Sequence, residues 1–124
     1  MSYNKLQLDD IRVISKEIVL NQKVTYLDLS HTQINNEMAK VLSEAIGWND
    51  TLNYINLKGN NFDTKMIHEA VMMNNNINTL MLEPNDRYVE SLLYENKKQQ
   101  KLAKERSEKI KRGKMIVNNN FIFH

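Results

Sequence analysis

Cysteine is absent from the chain, which excludes a disulfide framework and a thiolate zinc site. No apolar run approaches the roughly 18 residues of a membrane span. The opening MSYNKLQLDD lacks the hydrophobic region of a signal peptide, so the expected location is cytoplasmic. Glycine is scarce, with 3 in 124 residues. The LKGNNFD stretch holds one glycine and no Lys-Ser/Thr pair, so it is no phosphate loop. Gly59 is expected instead to permit a tight bend. Metal chemistry is equally thin, because HEAVM supplies one His beside one Glu without the second His four residues on that a zinc-protease helix needs. No metal site and no cofactor are expected.

What the chain does contain is repetition. VTYLDLSHTQI, starting at Val24, returns after a shift of 28 as LNYINLKGNNF, starting at Leu52, and after a further 25 as INTLMLEPNDR, starting at Ile77. Apolar residues fall at the first, fourth and sixth places: Val24, Leu27 and Leu29, then Leu52, Ile55 and Leu57, then Ile77, Leu80 and Leu82. The following halves repeat as well. VLSEAIGWNDTL (Val41 to Leu52) aligns with MIHEAVMMNNNI (Met66 to Ile77), and VISKEIVLNQKV (Val13 to Val24) shares their aliphatic and Asn positions.

Alternation of apolar and polar residues in YLDL, YINL and TLML has the period of a strand with one buried face. The segments from about Asn36 to Trp48 and Thr64 to Met73 place their apolar residues on one side of a helix. Strand, helix and strand joined by such short connections give parallel pairing through right-handed crossovers. In a doubly wound sheet both faces are covered and strands read as continuous apolar runs. These strands alternate, so the helices are expected on one face only. A fixed period with a one-sided sheet marks stacked repeats, each unable to bury its apolar face alone.

The pattern LxxLxLxxNxL with a helix in each unit closely resembles a leucine-rich repeat, and its helix-to-Asn junction is similar to the ribonuclease-inhibitor-like subfamily, over roughly residues 6 to 96. The resemblance implies an α/β fold: a short leucine-rich-repeat solenoid, parallel strands on one face and helices on the other. It also implies that Asn60 and Asn85 are buried ladder asparagines, with Thr32 filling only part of that role. The third unit is three residues short, and the loss falls at the start of its helix. An array this small needs both ends closed. The N-terminal helix, about Asp9 to Leu20, is the expected first cap, with Ile11, Ile14 and Ile18 as its apolar stripe. The family spans actin pointed-end cappers, inhibitors and innate sensors, so the resemblance implies a fold rather than a role.

A catalytic reading would have to be assembled from His31, His68, Asp28, Asp63 and Glu69. His31 follows the first strand and His68 lies in the helical layer, so both read as ordinary surface or partly buried residues. Three repeats make a shallow curve rather than the pocket that catalysis needs. No catalytic residue is assigned and no small-molecule substrate is expected. A protein partner is the alternative, met by the polar-face columns of the sheet: Tyr26, Tyr54 and Thr79; Asp28, Asn56 and Met81; Ser30, Lys58 and Glu83. Two adjacent tyrosines beside a methionine suit recognition, although paired aromatics also serve a sheet by stabilising it across strands. Trp48, at a helix end, reads as packing.

Charge divides the chain into residues 1–96, with eight basic and thirteen acidic residues, and residues 97–124, with nine basic and two acidic. The first span is the expected repeat domain with its caps; the second is a basic helical extension and tail. From about Asp86 the sequence reads as one long helix with Asn85 or Asp86 as N-cap and Gly113 as a stop. Tyr88, Val89, Leu92 and Leu93 form the stripe that closes the repeats. Beyond Asn96 three readings stay open: a solvated helix, an arm folded back on its own acidic repeats, and an anion-binding arm. The last would use Lys97, Lys98, Lys101 and Lys104 on nucleic acid, an anionic membrane or an acidic protein. The end MIVNNNFIFH alternates loosely enough for a short added strand.

Overall fold

Helix starts are set by side chains that satisfy otherwise orphaned backbone N–H groups. In the computed structural model, which describes residues 5–111, α1 spans Leu8–Leu20, and its Asp10 carboxylate accepts the Gln7 N–H at 2.8 Å. The next helix, α2, spans Asn36–Trp48 behind Asn35, whose side chain accepts the Met38 N–H at 3.0 Å. Asp63 does the same for the third unit, 28 residues after Asn35, accepting the Lys65 N–H at 3.0 Å. There the chain enters a 3-10 turn, Thr64–Ile67, before α3, His68–Met73. The three-residue deletion therefore sits at the helix start, as the sequence indicates. The tighter turn rises about 2.0 Å per residue instead of about 1.5 Å, which recovers part of the lost length.

The strands β1 (Tyr26–Asp28), β2 (Tyr54–Asn56) and β3 (Thr79–Met81) pair in parallel in that order. Their register aligns Tyr26 with Tyr54 and Thr79, Leu27 with Ile55 and Leu80, and Asp28 with Asn56 and Met81. The nine apolar positions of the repeat all join or pack on one core, together with Ile11, Ile18, Ile34, Leu42, Ile46, Ile67 and Val71 from the helical side. Helices pack in sequence order, α1 on α2, α2 on α3 and α3 on α4. No described helix is long and apolar enough to cross a membrane.

The fourth helix, α4, spans Arg87–Lys111. Asp86 is its cap, its Oδ1 accepting the N–H groups of Tyr88 at 2.9 Å and Val89 at 3.1 Å. Val89 and Leu93 are buried and Leu92 packs on the core, whereas Tyr88 is exposed. The closing stripe is thus narrower than the sequence suggests, because Tyr88 sits on the outer edge of the helix beside His68. Beyond Asn96, Leu102 and Ile110 are exposed. This half extends roughly 22 Å at about 1.5 Å per residue. Gly113 and the MIVNNNFIFH segment lie outside the described residues.

Where α2 and α3 hand over to the next strand, a buried asparagine bonds the neighbouring coil. Asn49 donates to the Ile18 carbonyl at 2.7 Å and accepts the Thr51 and Leu52 N–H groups, both at 2.7 Å. Asn74 donates to the carbonyls of Ile46 at 2.9 Å and Asn49 at 2.5 Å, and accepts the Asn76 N–H at 3.0 Å. Asn96, inside α4, donates to the Ile77 carbonyl at 2.9 Å. YVESLLYEN (88–96) is therefore a fourth copy of the helix half of the repeat, in step with VISKEIVLN, VLSEAIGWN and MIHEAVMMN. Buried backbone groups left without partners cost about 1–3 kcal/mol each. Asn74→Ala should lower unfolding free energy by about 3 kcal/mol in urea titration, while exposed Asn75→Ala changes it by less than about 0.5 kcal/mol.

Candidate functional site

Short strands decide which of the predicted surface residues share a face. Each strand is three residues long, so only two columns stand on the sheet itself. On the sheet face that no described helix covers, the Tyr26 and Tyr54 rings stack with centroids 4.4 Å apart and planes 3° from parallel. The Tyr54 hydroxyl donates to the Met81 sulfur at 3.0 Å. The sequence thus builds a continuous row of two aromatics and a thioether across three strands, with Tyr26 58% exposed at its open end. Partial desolvation, then the neighbouring Tyr54 and Asp28 groups, push the Tyr26 phenol above its ordinary value. Thr79 is half-buried beside the row.

The second column has work of its own in the scaffold. Asp28 Oδ1 accepts both the N–H of Ser30 at 3.0 Å and its hydroxyl at 2.7 Å. Those two bonds, the backbone one first, hold the Asp28 carboxyl below its usual range. Asn56 accepts the Lys58 N–H at 3.0 Å in the equivalent turn. Both side chains remain half-exposed, with acceptor capacity committed to the turn that follows the strand.

Ser30 does not belong to an exposed column: it is 6% exposed, because the chain has left the strand and curls back over Asp28. Lys58 and Glu83 are exposed but also lie beyond their strands. Asn85 is exposed rather than a buried ladder residue, since the chain turns into α4 at Arg87 and Asp86 is the side chain directed inward. Asn60 does fill the expected role. Its Oδ1 accepts the N–H groups of Thr32 at 3.1 Å and Ile34 at 2.9 Å, and its Nδ2 donates to the carbonyls of Leu29 at 2.9 Å and Leu57 at 3.0 Å. Buried Thr32 donates its hydroxyl to the Leu29 carbonyl at 2.8 Å, with Asn60 Oδ1 at 3.5 Å as a second acceptor, and has no amide to bridge further, the partial role expected of it.

Gly59 takes φ +72°, and a Cβ there would fall 2.1 Å from His31 Nδ1, so the bend needs glycine for conformation and for space. His31 is exposed, and His68 is half-buried in the helical layer. His68 Nε2 meets Asp86 Oδ2 at 2.5 Å, and Thr64 donates to the same oxygen at 2.7 Å. Both bonds end on one carboxylate oxygen, and the cluster reads as a clasp between the third unit and α4. Trp48 is 69% exposed rather than packed, because it points outward at the end of α2. Lys97, Lys98, Lys101 and Lys104 are all exposed on the projecting half of α4, with Lys97, Lys101 and Lys104 at spacings of 4 and 3 that share one face.

The repeated Asn at the ninth place of each helix copy is legible in the sequence, but the bonds that Asn49, Asn74 and Asn96 make to the neighbouring coil appear only in the structure. The sequence matches no protein-family model and no curated protein. Among solved structures the fold is similar to the actin-binding site 2 domain of leiomodin-1, with 14% identity, 88% of this chain and 86% of that chain covered, and a TM-score of 0.67. It is also similar to a Caenorhabditis elegans tropomodulin C-terminal domain, with 13% identity, 84% and 87% covered, and a TM-score of 0.56. Those likenesses are of fold, and they fit a short repeat of leucine-rich type.

Burial pushes the Asp86 carboxyl up, but the bonds from His68, Thr64 and the Val89 N–H outweigh it and bring the group down to about 2. A carboxyl lowered from its unfolded value near 3.9 contributes stability that is fully present above that pH and lost as pH falls through about 2. Asp86→Ala should cost about 2 kcal/mol at neutral pH. The gap between the variant and the unaltered protein, followed by urea unfolding, should narrow as pH falls below about 4 toward about 2.

Proposed function

We propose that this chain is a non-catalytic protein–protein interaction module of the cytoplasm. In this reading residues 1–96 form a ribonuclease-inhibitor-like leucine-rich-repeat domain, closed by α1 at one end and by the first half of α4 at the other, and residues 97–124 form a basic extension. The observation that carries it is the Tyr26–Tyr54–Met81 row on the sheet face that no described helix covers. Tyrosines held by stacking offer contact area with little rotamer entropy left to lose on binding. A scaffold-only role for the row leaves Tyr26 unexplained, since more than half of its surface faces solvent.

The partner surface is accordingly centred on Tyr26, Tyr54, Thr79 and Met81, with Asp28 and Asn56 as its polar margin and Lys58 and Glu83 at its rim. Ser30 supports Asp28 from below. The leiomodin-1 domain is named for an actin-binding site, which makes actin the first partner to test. The exposed lysine stripe on α4 favours a second reading, an adaptor that holds an anionic partner through Lys97, Lys98, Lys101 and Lys104. Salt separates the two, because a lysine stripe releases its partner steeply as ionic strength rises and an aromatic row does not.

Tyr26→Ala combined with Tyr54→Ala should leave the fold intact by circular dichroism and weaken partner binding about 10- to 100-fold, read by co-sedimentation with filamentous actin and by pull-down from cells. A folded double variant that keeps full affinity returns the tyrosines to the scaffold.

A further inference from the structure

On the opposite side of the molecule, the outer helical layer carries an apolar groove between α1 and α2. Its walls are Val19 and Leu20 from α1 and Val41 and Trp48 from α2, flanked by Lys16 on one side and Glu44 on the other. Leu20 is 67% exposed and Trp48 69%. Large apolar side chains gathered this way on a solvent-facing surface mark an interaction site more often than a single exposed residue does.

The repeat makes the two walls equivalent. Lys16 and Glu44 are 28 residues apart, and so are Leu20 and Trp48. The ends of α1 and α2 adjoin where Asn49 bonds the carbonyls of Ile18 and Asn21, so the two helices run the same way and each pair stands at one level of the groove. One wall is thus basic and aliphatic, and the other is acidic and aromatic at matching heights. A two-fold axis running along the groove would set the α1 wall of one molecule against the α2 wall of another. Lys16 then meets Glu44 of the second copy and Leu20 meets Trp48 of the second copy, each contact occurring twice. Self-complementarity of this kind is what an isologous interface requires; a groove with two basic or two acidic walls would repel its own copy.

We infer that the α1–α2 groove is a homodimer interface of this chain, closed by Lys16–Glu44 and Leu20–Trp48 pairs across a two-fold axis. It lies away from the Tyr26–Tyr54 face, so a dimer would present two sheet faces at once and gain avidity for a partner with repeated sites. The inference stands independently of what that face binds.

The test uses the full chain in sedimentation velocity across a concentration series, with the emission of Trp48, the only tryptophan, as a second readout. A weak dimer with Kd of about 10–100 µM is expected from a patch of this modest size, with blue-shifted emission as it forms. Trp48→Ala should weaken it at least about tenfold. Lys16→Glu or Glu44→Lys alone should weaken it about three- to tenfold, and the combined exchange K16E/E44K should restore it to within about twofold. All these side chains are exposed, and circular dichroism verifies that each variant is folded. A protein that stays monomeric to about 500 µM, or a dimer indifferent to Trp48→Ala, overturns the inference. So does a double exchange that fails to restore the dimer.

Discussion

A carboxamide has one carbonyl and two N–H groups on a short stalk, and this fold depends on placing one wherever the backbone leaves a helix. At such corners the chain has given up its helical bonds without yet joining the sheet, and the polar groups lie too deep for water. Asn49 and Asn74 fill two of these corners, Asn60 fills the corner after β2, and Asn96 reaches the corner after α3 from inside α4, each bonding main chain of an adjacent coil. The same bonds that satisfy a corner also fix its distance from the previous one. Apolar burial supplies the driving force for stacking, but leucines alone tolerate sliding. The asparagines set the register that aligns Tyr26 with Tyr54 and Leu27 with Ile55.

Everything on the candidate partner face follows from that register. Parallel strands held in step bring two tyrosines 28 residues apart into a ring stack and set Met81 under the second hydroxyl. The register also accounts for the far end of the molecule. Asn96 sits one coil beyond Asn74 and reaches the Ile77 carbonyl, and Gln100 continues with a 2.7 Å bond to the Asn75 carbonyl. The first part of α4 is a repeat helix that no strand follows among the described residues; the helix continues to Lys111.

Much of this was written in the sequence in a form that periodicity can read. The nine apolar repeat positions and the limits of α2 follow from period 2 and period 3.6, and the parallel order from the short strand-helix-strand connections. The misreadings share a cause: a pattern fixes which residues are alike, while burial depends on what comes next along the stack. Ser30 continued the alternation of YLDLS, but the strand had already ended and the chain had curled over. Asn85 matched the motif, yet the chain passes at once into α4. Trp48 is apolar and lies at a helix end, and no described element covers it. Asn96 was hidden for the opposite reason, since Glu95, Lys97 and Lys98 around it read as a solvated helix.

The central claim is that the asparagine register extends into α4 and ends there, dividing one continuous helix into a structural half and a projecting half. Native-state amide hydrogen exchange measures this directly, because each amide reports the free energy of opening around it. Amides within residues 90–100 should be protected to nearly the level of those in α2, with protection falling away over residues 101–111. Uniform protection along the whole of α4, or exchange before Asn96 as fast as beyond it, would contradict the account.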